Sequence, residues 1–146
     1  MTLEEMQAKV GEMIGTSDWY LLDQERIDRF ADCTEDHQFI HVDPEAARAT
    51  PFGQTIAHGF LSVSMLAPMI SRLDKPAVQM TVNYGFNKLR FLAPVKSGKR
   101  VRGHFKLLEL DEKRPGQWQQ TIELSVEIEG EEKPALLAEW ITQFFL

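Results

Sequence analysis

The chain has 146 residues, 43% of them hydrophobic and 26% charged, with a formal net charge of −6. That length suits one domain built on a single core. No apolar run approaches the roughly 20 residues a membrane helix needs, and the acidic balance argues against general nucleic-acid binding.

Cys33 is the only cysteine, so an intramolecular disulfide is impossible and a thiolate zinc site is a poor fit. A reducing, cytoplasmic setting is expected. The N-terminal MTLEEMQAKV has neither the basic nor the apolar region of a secretory signal, so export is not expected.

In chain order, TLEEMQAKVGEMIG places Thr2 and Glu5 in capping-box positions. Leu3, Met6, Val10 and Met13 share one helical face, and Gly15 is a helix stop. DWYLL predicts a short strand. Asp23 can cap a helix carrying Ile27, Phe30 and Ala31, which runs out near Cys33 and Thr34. DHQFIHVD follows and is predicted to be extended or looped. Asp43-Pro44 then supplies an N-cap and an N1 proline for a short helix through Ala46, Ala47 and Ala49. TPFGQT has turn chemistry.

IAHGFLSVSMLAPMISRL is apolar nearly all round, which predicts a helix buried on most sides and bent at Pro68. The second half reads as strands: VQMTVNYGFNKLRFLAPV, RVRGHFKLLEL, QWQQTIELSVEIE and PALLAEWITQFFL. Trp118, Ile122, Leu124, Val126 and Ile128 fall on one parity, as a half-buried strand requires. Long strands joined by short turns imply an antiparallel meander, and the apolar helix needs that sheet as its cover. The expected class is α+β, a curved sheet wrapped around a helix.

Several residues could carry chemistry. Asp36 and His41, five positions apart, can meet in one small volume. A carboxylate and an imidazole sharing a water form a general acid–base pair, and Phe39 and Ile40 could wall that water off. A local role also fits, with Asp36 capping the turn and His41 bonded before the helix. At His58-Gly59, the helix start offers an unpaired backbone N–H that glycine leaves open to a close ligand, suited to a developing enolate or thioester oxyanion. The alternative there is tight packing at Gly59 and a satisfied core histidine at His58. His37 and His41 have helical i, i+4 spacing, but no third metal ligand stands at a recognised distance, and no G-x-S-x-G is present. His104 reads as exposed or structural, and Trp118 and Trp140 as core.

Ala31 to Ser62, ADCTEDHQFIHVDPEAARATPFGQTIAHGFLS, resembles the MaoC-like dehydratases, the R-specific enoyl-CoA hydratase group, and in particular the nodulation protein N-like branch. The matching elements are Asp36, Ile40, His41, Asp43-Pro44 and His58-Gly59. NYGFNKLRFLAPVKSGKRV resembles a later strand and turn of the same family.

The resemblance implies a hot-dog fold, a homodimer and an acyl tunnel near the interface. It implies that Asp36 and His41 activate water, and that the Gly59 N–H polarises the thioester carbonyl. Water would then add to a trans-2-enoyl-CoA to give an (R)-3-hydroxyacyl-CoA, with no cofactor. Gln38-Phe39 stands where many members have Asn-Pro, which bears on loop geometry and substrate preference, so both residues are placed with Ile40 and His58 at the substrate. From Lys75 to Lys106 there are eight basic residues and no acidic one. They are solvated strand faces or a local positive field, and the stretch Lys88 to Arg102, Arg90 included, is the candidate for the CoA phosphates. A hot-dog thioesterase would need a base on the central helix, and GFLSVSMLAPMI supplies none. A non-catalytic acyl-CoA binder leaves the Asp36, His41 and Gly59 set unexplained.

Overall fold

The computed structural model describes residues 1–146. Helix α1 (Leu3–Gln7) starts at the predicted capping box. The Thr2 hydroxyl accepts from Glu5 N–H, and the Glu5 carboxylate accepts from Thr2 N–H at 2.7 Å. The helix is shorter than the periodicity predicts. Met13–Thr16 forms strand β1 rather than a third turn. Only Leu3 and Met6 of the predicted face are buried, and the chain reverses at Gly11, whose φ is +92°. There Gly11 N–H donates to Leu107 O at 2.7 Å, so the backbone groups of this stretch find partners in a neighbouring strand instead.

Strand β2 (Tyr20–Leu22) and helix α2 (Gln24–Thr34) follow as expected, with the Asp23 carboxylate accepting from Arg26 N–H at 3.0 Å. DHQFIHVD departs from expectation. Phe39–Val42 closes into one helical turn, α3, and Pro44–Ala47 forms α4 with Asp43 as N-cap. The turn closes because His41 N–H donates to Gln38 O and Asp43 N–H to Phe39 O, each at 3.0 Å.

The central helix is split into α5 (Gly59–Ser64) and α6 (Leu66–Ser71). Pro68 causes the break. It has no N–H to give to the Ser64 carbonyl, and its ring crowds that carbonyl. Beyond the break, the Pro68 carbonyl accepts from the Tyr20 hydroxyl at 3.1 Å.

Strands β3 (Met80–Phe91), β4 (Lys99–Arg114), β5 (Gln117–Ile128) and β6 (Leu136–Phe145) complete an antiparallel sheet of order β1-β4-β5-β6-β3, with β2 also on β4. The predicted meander holds for β4-β5-β6. Strand β3 instead crosses over to the far edge beside β6.

The core lies between the sheet and α5–α6. Val101, Phe105 and Leu107 of β4 and Ile122, Val126 and Ile128 of β5 are fully buried, each worth about 1.5–3 kcal/mol. Gly103 lets the helix approach: a Cβ there would stand 2.6 Å from the Phe105 ring and 3.1 Å from Met69 Sδ. Met69 itself is fully buried, while Phe60 and Ala67 on the outer side of the same helices are exposed. The helix is therefore less enclosed than its composition predicts. A curved antiparallel sheet around a central helix is the hot-dog architecture. No helix is long and apolar enough to cross a membrane.

Candidate active site

Helix α2 ends at Glu35, whose φ of +61° is left-handed. That reversal turns the chain and presents Asp36. The Asp36 Oδ1 then accepts from Gln38 N–H at 3.3 Å, a local turn contact of the kind aspartate favours. Turn α3 carries His41 inward, and the loop after α4 brings His58 back to it.

Both histidines are buried, His41 with 7% and His58 with 2% of its surface exposed. Their rings stack at 3.9 Å between centroids and 23° between planes. His41 Nδ1 lies 2.7 Å from Ile56 O. A carbonyl only accepts, so Nδ1 carries the proton and Nε2 of the neutral ring is left as an acceptor. His58 Nε2 lies 3.0 Å from Asp36 O, which fixes its tautomer by the same logic and leaves its buried Nδ1 without a partner.

One atom each from Asp36, His41 and His58 lie within 4.8 Å of one another. Two acceptors at that separation can share one water, each at about 2.8 Å. Two imidazoles and a carboxylate are also donor types for a divalent cation. The stacking argues against that use. Near-parallel rings hold their lone pairs in separate, nearly parallel planes, whereas ligands of one ion must converge on it.

Burial lowers the His41 pKa below its usual 6.5, and the His58 ring adds to the effect. The Ile56 carbonyl and Asp36 oppose it. The ring is therefore neutral at pH 7.

The brace around this pair includes residues the sequence does not flag. Gln24 Nε2 donates to His41 O at 2.7 Å, and its Oε1 receives the Thr55 hydroxyl at 2.5 Å. One side chain thus ties α2 to α3 and to the segment before His58-Gly59. Phe30 adds a tilted ring contact to His58 at 4.8 Å.

Gly59 opens α5, so its N–H has no i−4 acceptor within the helix. A Cβ at Gly59 would stand 2.8 Å from the Phe91 ring. Gly59, Phe60, Ser62, Phe91, Val95 and Ala135 are among the residues lining an apolar cavity of about 430 Å³.

The remaining candidates divide. Gln38 and Phe39 lie on the exposed side of the turn. With 48% of its surface open, Phe39 does not wall off the Asp36–His41 site in a single chain, and Ile40 is only half-buried. His37 turns away to Asp32 at 2.9 Å. Within the basic run, Arg100 is engaged by Glu129 at 2.5 Å and Arg102 by Glu127 at 2.8 Å, which narrows the field available to a phosphate. The Arg102 contact, then that of His104, holds Glu127 below the usual carboxylate range. Arg90 is exposed on β3 beside Phe91, and its guanidinium donates only to Leu89 O.

The MaoC like domain family matches residues 5–131. The chain is 49% identical to nodulation protein N of Rhizobium leguminosarum bv. viciae over 97% of its own length and 90% of that protein's. It is 44% identical to 3-hydroxyacyl-thioester dehydratase Z of Mycobacterium tuberculosis, over 98% and 95% of the two chains. A solved structure described as a monoamine oxidase regulatory protein, from Archaeoglobus fulgius, superposes with a TM-score of 0.83 at 26% identity, covering 99% of this chain and 94% of its own.

Proposed function

We propose, from the premise that this chain belongs to the MaoC-like dehydratase family, that it is a hydro-lyase interconverting trans-2-enoyl and (R)-3-hydroxyacyl thioesters of CoA. The observation that carries the proposal is the convergence of Asp36, His41 and His58 within 4.8 Å, beside an apolar cavity that begins at Gly59.

The chemistry follows from the tautomers. Nδ1 of His41 is held by Ile56 O, so Nε2 receives a hydrogen bond from the reacting water while the Asp36 carboxylate receives the other. As the water oxygen bonds to Cβ, the pair takes up one of its protons. A proton passes back to Cα as the enolate collapses. The two groups share this proton as a coupled pair. The Gly59 N–H faces the thioester oxygen and stabilises the enolate charge. α5 has only six residues, so the donor itself does this, with little help from a helix dipole. The acyl chain enters the cavity past Phe91, with Gln38, Phe39 and Ile40 along its path and Arg90 toward the CoA phosphates. His58 sits behind the catalytic pair rather than against substrate. Dehydration is the reverse, and neither direction needs a cofactor.

The working unit is a homodimer. Strand β3 is the free edge of the sheet, twelve residues long, with Met80, Val82, Tyr84, Phe86 and Phe91 exposed along it. An open, apolar edge of that length is unstable as a solvent surface. Antiparallel pairing with its copy about a two-fold axis covers it. It also covers the half-exposed Phe39 side of the site. A cytoplasmic setting agrees with the single free, exposed Cys33.

The test is crotonyl-CoA with the purified protein, following enoyl absorbance and free thiol together. Hydration without thiol release is the expected result, and thiol release would instead indicate a thioesterase. Asp36→Asn and His41→Asn should each lower kcat by about 10²–10⁴-fold with an unchanged circular dichroism spectrum. Wild-type rates in either variant would remove the assigned roles.

A further inference from the structure

Strand β5 carries an inward-facing polar residue among apolar ones. Ile122, Leu124, Val126 and Ile128 point into the core, and Gln120, on the same parity, is 97% buried by its 3% exposure. Its amide pairs with the Thr142 hydroxyl at 3.0 Å, and Thr142 is equally buried. The other amide atom, Oε1, has no partner. Whichever way round the amide lies, one of its two polar atoms is bonded to Thr142 and the other is free. A buried polar atom left unpaired costs on the order of 1–3 kcal/mol, so this position is costly unless something completes it.

Gln120 and Thr142 line a second cavity, of about 220 Å³, at the end of the central helix away from Gly59. Ile70 and Ser71 of α6 and Thr81 and Asn83 of β3 also line it. Asn83, Thr142 and Gln120 are register neighbours on β3, β6 and β5. The amide therefore stands two strand spacings, roughly 10 Å, inward from the β3 edge.

We infer that this cavity selects acyl thioesters whose chain bears a hydroxyl group toward its far end, with the Gln120 amide and the Thr142 hydroxyl as its partners. The inference rests on the hydratase reading and on pairing of β3 with its copy. Pairing about the middle of the strand sets Phe91, at the mouth of the Gly59 cavity, beside the partner's Met80. Thr81 and Asn83, which line the second cavity, follow Met80 on the strand, so in such a pair a chain passing Gly59 would be directed toward the second cavity of the other copy. A hydroxyl fits better than an amine or a carboxylate. It can both donate to and accept from the amide and Thr142, and it brings no charge into a buried site. The mouth gives no net charge preference, since Asp74 and Lys75 both border it.

The experiment compares trans-2-enoyl-CoA esters over a ladder of chain lengths, each as a methyl-terminated and an isosteric hydroxyl-terminated pair. Hydration gives kcat/KM, and calorimetry with the matching non-reactive thioethers gives affinity. At the length that reaches Gln120, the hydroxyl member should be favoured by roughly 5- to 10-fold in both readouts. Gln120→Met keeps the shape but removes the amide, and should abolish or reverse that preference while leaving crotonyl-CoA turnover unchanged. Thr142→Val should weaken it in the same direction. A preference for the methyl member at every length, or one that Gln120→Met leaves intact, overturns the inference, as does failure of either thioether to bind. A hydroxyl preference in binding without any hydration would sustain the inference and remove the hydratase reading.

Discussion

Replacing His58 by phenylalanine separates the two things its ring does. The stack on His41 at 3.9 Å survives, because phenyl and imidazole are both flat and of similar size. The hydrogen bond to Asp36 O at 3.0 Å is lost. Asp36 is exposed, so water can re-partner its carbonyl, and the stability cost should stay near the low end for a lost hydrogen bond, about 1 kcal/mol. The cost in rate should be larger. With the carbonyl released, the carboxylate is free to move relative to His41 Nε2, and a displacement of about 1 Å in a catalytic pair costs on the order of 10²-fold. The pH profile should also move. The His58 imidazole is one of the two causes that lower the His41 pKa, and burial is the larger. Removing the smaller cause raises that pKa part of the way toward 6.5. In the proposed mechanism the pair works with His41 neutral, so the acid limb of kcat/KM shifts upward. Initial rates of crotonyl-CoA hydration across about pH 4.5 to 8.5 (roughly two units either side of the ordinary histidine value) would show both effects. A rate within twofold of wild type, or an acid limb that moves downward, would refute the idea that His58 positions the pair.

Gly59→Ala places a methyl 2.8 Å from the Phe91 ring and should lower kcat/KM at least ten-fold by displacing either the ring or the N–H, an effect of about 1.4 kcal/mol or more. The double variant Gly59→Ala/Phe91→Ala removes the ring, so recovered activity would assign glycine to packing and continued loss would assign it to close substrate approach. Val82→Lys with Tyr84→Lys puts two charges on the β3 edge and should give a monomer by sedimentation velocity; a persistent dimer would mean that a different face pairs. His41 has a folded pKa below 6.5, so the unfolded chain binds more protons between the folded value and 6.5. The His41 contribution to stability is therefore complete above pH 6.5 and is lost as pH falls toward the folded value. Urea midpoints at pH 7 and pH 5 should differ less in His41→Gln than in wild type, and an equal difference in both would contradict this.

Elements specified by local chemistry are the ones the sequence reveals. The Thr2/Glu5 capping box, the Asp23 and Asp43-Pro44 starts, the break at Pro68 and the long strands all follow from contacts within a few residues. Three features depend on distant partners and are not legible in this way. Met13–Thr16 is strand because β4 is there to pair with it. Strand β3 sits beside β6 because of a crossover that no local pattern encodes. Phe39–Val42 closes on its own backbone bonds, but Gln24 and Ile56, from other segments, hold His41 in place at its carbonyl and its ring. Asp36, His41 and Gly59 could be picked out as chemistry, yet the His41 tautomer depends on a carbonyl and the brace on Gln24 and Thr55, none of which has a sequence signature. Gln120 could have been noticed, since it is the polar exception on a parity that is otherwise apolar from Trp118 to Ile128.

The site hangs outside the sheet on α3, α4 and their connections, held by side chains reaching to backbone, whereas the core rests on strand ladders of up to 16 residues. Chemistry and folding thus draw on largely separate sets of residues. Drift at exposed positions within residues 36–58, such as Gln38 and Phe39, can alter what lies beside the site with little cost to the scaffold. Drift on the inner face of β4 and β5 threatens the scaffold first. Gln120 is the exception, a place where a change of ligand and a change of stability come from the same side chain. Selection on that position therefore answers to both at once.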